Sequence, residues 1–246
     1  MARILGAVRT ATVDLSTLTP EQRQVFAAEQ SARLEGASAT EIIRWAHETF
    51  GDRLAVTSSM GDGLIPHLCA EAAPGIDVLF LDTGYHFAET IGTRDAVAAT
   101  TGANVRTILP LLTVAEQDEQ YGPRLHNRDP DACCRMRKVE PLDRALADYD
   151  AWISGVRRDE TPERADTPIV GYDEKRQLIK ISPIATWTQE DTNAYILQNG
   201  VLVNPLVSEG FLSIGCAPCT RAVAPGEDPR AGRWAGTGKS ECGLHL

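Results

Sequence analysis

The sequence predicts an α/β protein: a parallel or mixed twisted sheet with helices on both faces, followed by a flexible C-terminal tail. Three observations predict it. From Leu54 onward short apolar runs alternate with helical stretches, the pattern of strands joined by crossover helices. The chain has 246 residues, 43% hydrophobic and 24% charged, enough to bury one sizeable core. Beyond Asn204 the regular text gives way to Gly, Pro and Arg.

Taken in order, residues 1–19 lack sustained periodicity and read as an arm. Thr19-Pro20-Glu21-Gln22 and Ser38 to Glu41 are capping boxes, so two helices precede the first strand. Strands are expected at 54–56, 77–81, 105–109, 151–154 and 178–181. Helices are expected near 63–73, 87–100, 112–121, 132–148 and 188–199. In such a sheet ligands bind outside the carboxyl ends of the strands, which directs attention to the loops after Val56, Leu81 and Ser154. The organisation read from this is an N-terminal arm and helix (1–40), an α/β core (41–215) and a mobile tail (216–246).

Lys and Arg total 24 against 34 Asp and Glu, a net charge of −10, which argues against broad adhesion to nucleic acid or anionic membrane. An anionic ligand must therefore meet a local cluster of cations. No apolar run reaches the length of a membrane span and the start does not read as a signal peptide, so a cytoplasmic protein is expected. Six cysteines grouped as a CC pair, a CxxC and a near-terminal Cys point to metal or redox chemistry, with Cys69 simply buried.

Thr57-Ser58-Ser59-Met60-Gly61-Asp62-Gly63 follows the first strand and precedes a helix, a place where hydroxyls and backbone N–H groups face an anion. Leu81-Asp-Thr83-Gly84 adds a second polar loop on the same rim. Cys133-Cys134 and Cys216-Ala-Pro-Cys219 supply four thiolates, read either as a zinc staple or as iron–sulfur ligands. Neighbours on a helix point about 100° apart, which suits two corners of a bulky cluster better than one small ion. Lys138 lies four residues after Cys134, on the same helical face, whereas Arg135 and Arg137 read as solvated. Arg157 and Arg158 after Gly155, then Arg164, Arg230 and Arg233, form the required cationic group, because guanidinium matches phosphate or sulfate oxygens bidentately. Near the end, Cys242 stands between Lys239 and His245, a candidate nucleophile on a Gly-rich segment able to swing.

Together Cys133-Cys134, Cys216-Ala-Pro-Cys219 and Glu241-Cys242-Gly-Leu-His245, strengthened by Leu81-Asp-Thr-Gly84 and Gly155-Val-Arg-Arg158, resemble the assimilatory adenylylsulfate (APS) reductases of the APS/PAPS reductase family. The resemblance covers about residues 45–246. It implies an adenine nucleotide α-hydrolase-like fold and one 4Fe–4S cluster on Cys133, Cys134, Cys216 and Cys219. It also implies a nucleophile at Cys242 that attacks the sulfate sulfur of adenosine 5′-phosphosulfate, releasing AMP and leaving S-sulfocysteine. Thioredoxin would then release sulfite, and the cluster would not be the electron donor.

By the same resemblance Lys138 links cluster and sulfonucleotide, while Arg164, Arg230 and Arg233 hold its anionic groups. Leu81 and Gly155 meet the adenosine, the Thr57, Ser58, Ser59 and Asp62 loop and Thr83 line the pocket with Arg157 and Arg158, and His245 tunes Cys242. Neither nucleic acid nor membrane is an expected partner, and whether the chain forms a homo-oligomer is open. Two departures stand out: Pro130 where some members have histidine, and a Ser58 loop without the SGG of the related ATP pyrophosphatases. The alternative functions are a PAPS reductase, a pyrophosphatase-like sulfur-transfer enzyme, and a zinc-stapled module with an incidental Cys242.

Overall fold

The computed structural model describes residues 15–235 together with Lys239, Glu241, Gly243 and Leu244. Helices α1 (Pro20–Leu34) and α2 (Ala39–Phe50) each begin at the expected capping box, where Thr19 and Ser38 accept from the backbone N–H groups of Gln22 and Glu41. There follow β1 (Leu54–Thr57), α3 (Leu64–Ala72), β2 (Asp77–Leu81), α4 (Ala88–Thr100), β3 (Asn104–Ile108), α5 (Val114–Tyr121), α6 (Leu125–Arg128), α7 (Pro130–Cys134), α8 (Glu140–Leu146), β4 (Ala151–Ile153), β5 (Val170–Asp173), β6 (Leu178–Ile181) and α9 (Gln189–Asn199).

The six strands order as β3-β2-β1-β4-β6-β5, all parallel except β5, which pairs antiparallel with β6. The chain winds outward from β1 to β2 and β3 on one side, and continues through β4 on the other. That reversal puts a crevice at the carboxyl ends of β1 and β4. Alternate residues of each strand face opposite layers. Leu54, Val56, Val78, Phe80, Ala151 and Ile153 join the large core containing residues of α1 to α4. Ala55, Leu79 and Trp152 point the other way, onto Leu142 and Leu146 of α8. Trp152 is fully buried there, so truncating it would cost about 3–5 kcal/mol.

Strand β5 is a correction to the sequence reading, which contained no strand between 154 and 178. Its four residues include Gly171 and are too short to stand out as a pattern. Pairing with β6 in register Val170↔Ile181 to Asp173↔Leu178, and cover from α1, make it a strand. Leu15, Ala27 and Leu34 join the same core as the sheet, so α1 packs as part of it.

Past α9 regular structure is sparse, as expected. The segment is nevertheless tied down among the described residues: Asn204, 1% exposed, donates to the Met60 carbonyl, Thr220 bridges Arg233, and Trp234 is 4% exposed.

Candidate active site

The carboxyl ends of β1, β2 and β4 open onto a cleft of about 690 Å³, a volume suited to a nucleotide-sized ligand. Its floor is Thr57, Leu81 and Ser154–Gly155, the three strand ends singled out from the sequence. Gly155 is required at this point: a Cβ there would lie 2.8 Å from Cγ1 of Ile65 on α3. Ser58, Ser59 and Asp62 also line it. The loop carrying them is internally bonded, with Ser58 accepting from Met60 N–H (3.3 Å) and Asp62 accepting from Leu64 N–H (3.0 Å) at the start of α3. Burial pushes the Asp62 carboxyl up, which weakens the case for this loop as a phosphate cradle.

Cations are gathered elsewhere along the walls: Lys138, Arg157, Arg164, Arg230 and Arg233 all face the cleft. Arg157 is steadied by Asp159 (3.0 Å) and by Gln189 at the start of α9 (2.8 Å). Arg164 is held by Glu160 (2.5 Å) and, in a bidentate pair at 3.0 Å for each bond, by Glu241. Arg230 reaches the same Glu241 carboxylate at 3.2 Å. Gly215 allows the guanidinium of Arg233 to lie flat on its backbone, since a Cβ would sit 2.7 Å from it. Arg233 also stacks over Trp234 with 4.5 Å between guanidinium carbon and ring centre.

Beside the cleft a small pocket is lined by Cys133, Cys134, Cys216 and Cys219, so residues 82 positions apart in sequence meet at one place. Cys133 and Cys134 close α7, whose first turn is capped by Asp129 and opened by Pro130 at its first position. The proline that departs from the family pattern thus occupies a position where its missing N–H is harmless. Directly after the pair, residues Arg135–Val139 form a π turn, a widened helical turn common at functional sites. The turn presents Lys138 to both the thiol pocket and the cleft; Arg233 and Trp234 also line both.

Three of the four thiols are buried, and burial together with the neighbouring sulfurs pushes Cys133 up to about 12 and Cys219 up to about 11. Thr83, completely buried, lies 3.2 Å from the Cys216 sulfur through its hydroxyl. No disulfide joins the described cysteines, and among the described residues no three His, Cys, Asp or Glu side chains converge as ligands of a single metal ion. The donor set, four sulfurs around one pocket beside a lysine, is chemically suited to a thiolate-bound iron–sulfur group. Cys69, on α3, is buried in the large core and does not line the thiol pocket, and its thiol is raised strongly by burial.

Three assignments are corrected by the placement. Arg158 does not reach the cleft: it pairs with Glu35 at the end of α1 (2.5 and 3.1 Å) and donates to the Thr167 carbonyl (2.8 Å). Arg137 is not solvated but 4% exposed, donating to the Thr83 carbonyl and to Gln117 (3.1 Å), which braces the β2 loop against the cysteine helix. Thr83 serves the thiol pocket rather than the cleft. Cys242 and His245 lie outside the described residues.

Sequence reasoning missed His86, Glu160 and the carboxylate of Glu241. His86 lines the cleft, its Nε2–H donating to the Leu81 carbonyl (2.8 Å), and burial, with Lys138 nearby, lowers its pKa. A histidine five residues past a strand end carries little signal of its own.

A family model described as the phosphoadenosine phosphosulfate reductase domain matches residues 53–222. The adenosine 5′-phosphosulfate reductase of Streptomyces coelicolor is 61% identical over 227 residues, covering 92% of this chain and 96% of that protein. Its counterpart in Mycolicibacterium smegmatis is 54% identical over 233 residues, covering 95% and 99%. Among solved structures, phosphoadenylyl-sulfate (PAPS) reductase from Candida auris, in a phosphate complex, superposes with a TM-score of 0.69 at 27% identity, covering 86% of this chain and all of that one. The Candida glabrata FMN adenylyltransferase shares the fold alone, at a TM-score of 0.52 and 13% identity, covering 79% of this chain and 66% of that one.

Proposed function

The chain belongs to the phosphoadenosine phosphosulfate reductase domain family, and from that premise we propose that it reduces adenosine 5′-phosphosulfate to sulfite and AMP. One observation carries the reading: Glu241, the residue before Cys242, sits in the wall of a cation-lined cleft, so the near-terminal thiol belongs to a segment that reaches the cleft.

In this reading Leu81 and Gly155 meet the adenosine at the strand ends, while Lys138, Arg164, Arg230 and Arg233 hold the phosphate and sulfate oxygens. The Cys242 thiolate attacks the sulfate sulfur; an S–S bond forms, the bond from sulfur to the bridging oxygen breaks, and AMP leaves with the electron pair. The arginines take up the charge that develops on the leaving phosphate. His245 tunes the thiol. A thioredoxin dithiol then attacks the Cys242 sulfur, sulfite leaves, and the second thioredoxin thiol closes a disulfide, which supplies the two electrons. Cys133, Cys134, Cys216 and Cys219 would hold one 4Fe–4S cluster, whose iron keeps all four sulfurs as thiolates. Lys138, between that pocket and the cleft, offsets the negative charge of the thiolates. No described helix is long and apolar enough to cross a membrane, and the proposed setting is the cytoplasm.

The test is intact-mass analysis of anaerobically purified protein mixed with adenosine 5′-phosphosulfate and no reductant. A sulfo-adduct on Cys242, discharged as sulfite by reduced thioredoxin, is expected; an unmodified Cys242 rejects the mechanism. The same assay with the 3′-phosphorylated substrate decides between the two sulfonucleotides. Iron with acid-labile sulfide, rather than zinc, is expected in the protein.

A further inference from the structure

We infer that Arg176 and Leu244 form the anchor that seats the segment carrying Cys242, making Arg176 a positioning residue; the inference rests on the reaction proposed above. Arg176 lies in the turn between β5 and β6 and its side chain is only 4% exposed. Nε donates to Asp143 of α8 (2.6 Å), and Nη1 donates both to Asp173 (2.9 Å) and to the Leu244 carbonyl (3.2 Å). The Leu244 side chain packs on the cluster of Leu142, Leu146 and Trp152, and the Arg176 guanidinium lies over the Trp152 ring. A polar hold on the Leu244 backbone, from the β5–β6 turn, thus adjoins an apolar socket for its side chain built from α8 and β4.

The residue on the other side of Cys242 is held differently. Glu241, with a side chain 9% exposed, is gripped by Arg164 and Arg230. Those two arginines are the ones proposed to take the oxyanions of the sulfonucleotide, so carboxylate and substrate contend for the same guanidinium donors. Arg176 is not in that contest. Its charge is already matched by Asp143 and Asp173, and it does not line the cleft. Between the two holds Gly243 takes φ +78°, a conformation that favours glycine and bends the chain. When substrate engages Arg164 and Arg230, the hold that keeps the nucleophile's segment in register is the one on Leu244.

The experiment uses full-length protein and three readouts: the rate of sulfo-adduct formation at saturating adenosine 5′-phosphosulfate without reductant, the affinity for AMP, and the rate of Cys242 alkylation by iodoacetamide without ligand. In Leu244→Ser and in Arg176→Gln the adduct should form about tenfold more slowly, from loss of one charge-assisted hydrogen bond or of its apolar socket. In Arg176→Gln, whose side chain does not line the cleft, AMP affinity should stay within about twofold, and in both variants alkylation should quicken about tenfold, from the same loss of docking. Arg176→Lys should restore part of the adduct rate. Should Arg176→Gln fail to fold, Leu244→Ser carries the test. Adduct and alkylation rates equal to the parent's overturn the anchor. If the parent forms no adduct, the proposed reaction fails, and the alkylation rates alone then decide whether the anchor exists.

Discussion

The thiol pocket and the cleft share Lys138, Arg233 and Trp234 as a common wall, yet their chemistry is opposed. The pocket is small, and burial pushes two of its thiols towards the neutral form, Cys133 to about 12 and Cys219 to about 11. The cleft is open and crowded with charge, five cations meeting Asp62, Glu160 and Glu241. Burial that suits a sulfur ligand, which becomes a thiolate only when iron is bound, disqualifies it as a free nucleophile. In the proposed reaction the thiol therefore comes from outside the pocket, on the segment whose Glu241 is held by Arg164 and Arg230.

The strongest way to break this division is to exchange the roles by mutation. Cys242→Ser should retain iron and AMP binding while adduct formation falls to background. Cys134→Ser should lose iron, sulfide and activity together. Iron content by colorimetry and adduct by mass spectrometry read both. If Cys242→Ser also loses its iron, the two regions are one.

A smaller effect is expected where the two regions touch. Gly215→Ala places a Cβ where the Arg233 guanidinium now lies, 2.7 Å away, so the side chain must leave both the Trp234 ring and its place in the shared wall. Losing one charge-assisted contact to an anion should raise the dissociation constant for AMP about tenfold. Iron content should not change. Titration calorimetry with AMP measures the first, and unaltered affinity would place Arg233 outside the binding wall.

Much of this arrangement was legible in the sequence, for identifiable reasons. Apolar runs ending in Val56, Leu81 and Ser154 located the floor of the cleft, because the loops that follow parallel strands gather at one end of the sheet. The four cysteines were legible as a set because few chemistries need four thiols. Position along a motif was a poorer guide to direction. Arg157 and Arg158 are neighbours, yet one faces the cleft and the other turns to Glu35, since consecutive side chains leave a loop in different directions. Arg137 looked solvated because its partners, Thr83 and Gln117, come from distant loops. The β5–β6 turn was missed, and with it Arg176, whose contact with Leu244 joins residues 68 apart. Nothing local in the sequence indicates that the Glu241 carboxylate meets Arg164 and Arg230.

The smallest predicted effect sharpens the comparison by moving from sulfur to nitrogen. Lys180 on β6 lies over Trp152, on the sheet face that carries Leu142 and Leu146. Burial lowers its ammonium from 10.5 to about 8, favouring the neutral form as it does for Cys133, although Asp173 and Glu241 oppose the shift. A lysine whose folded pKa lies below its unfolded value binds fewer protons folded than unfolded between those two values. Folding is therefore penalised by the full amount below about pH 8, and the penalty disappears as pH rises towards 10.5. Lys180→Met removes the group and keeps its length. Discounted for partial exposure, it should stabilise the protein at pH 7 by on the order of 1 kcal/mol. That advantage should shrink steadily between pH 8 and 10 in urea titrations. A gain independent of pH would mean that methionine simply packs better against Trp152, and a loss at pH 7 would mean that the ammonium is held by its carboxylate neighbours more strongly than burial penalises it.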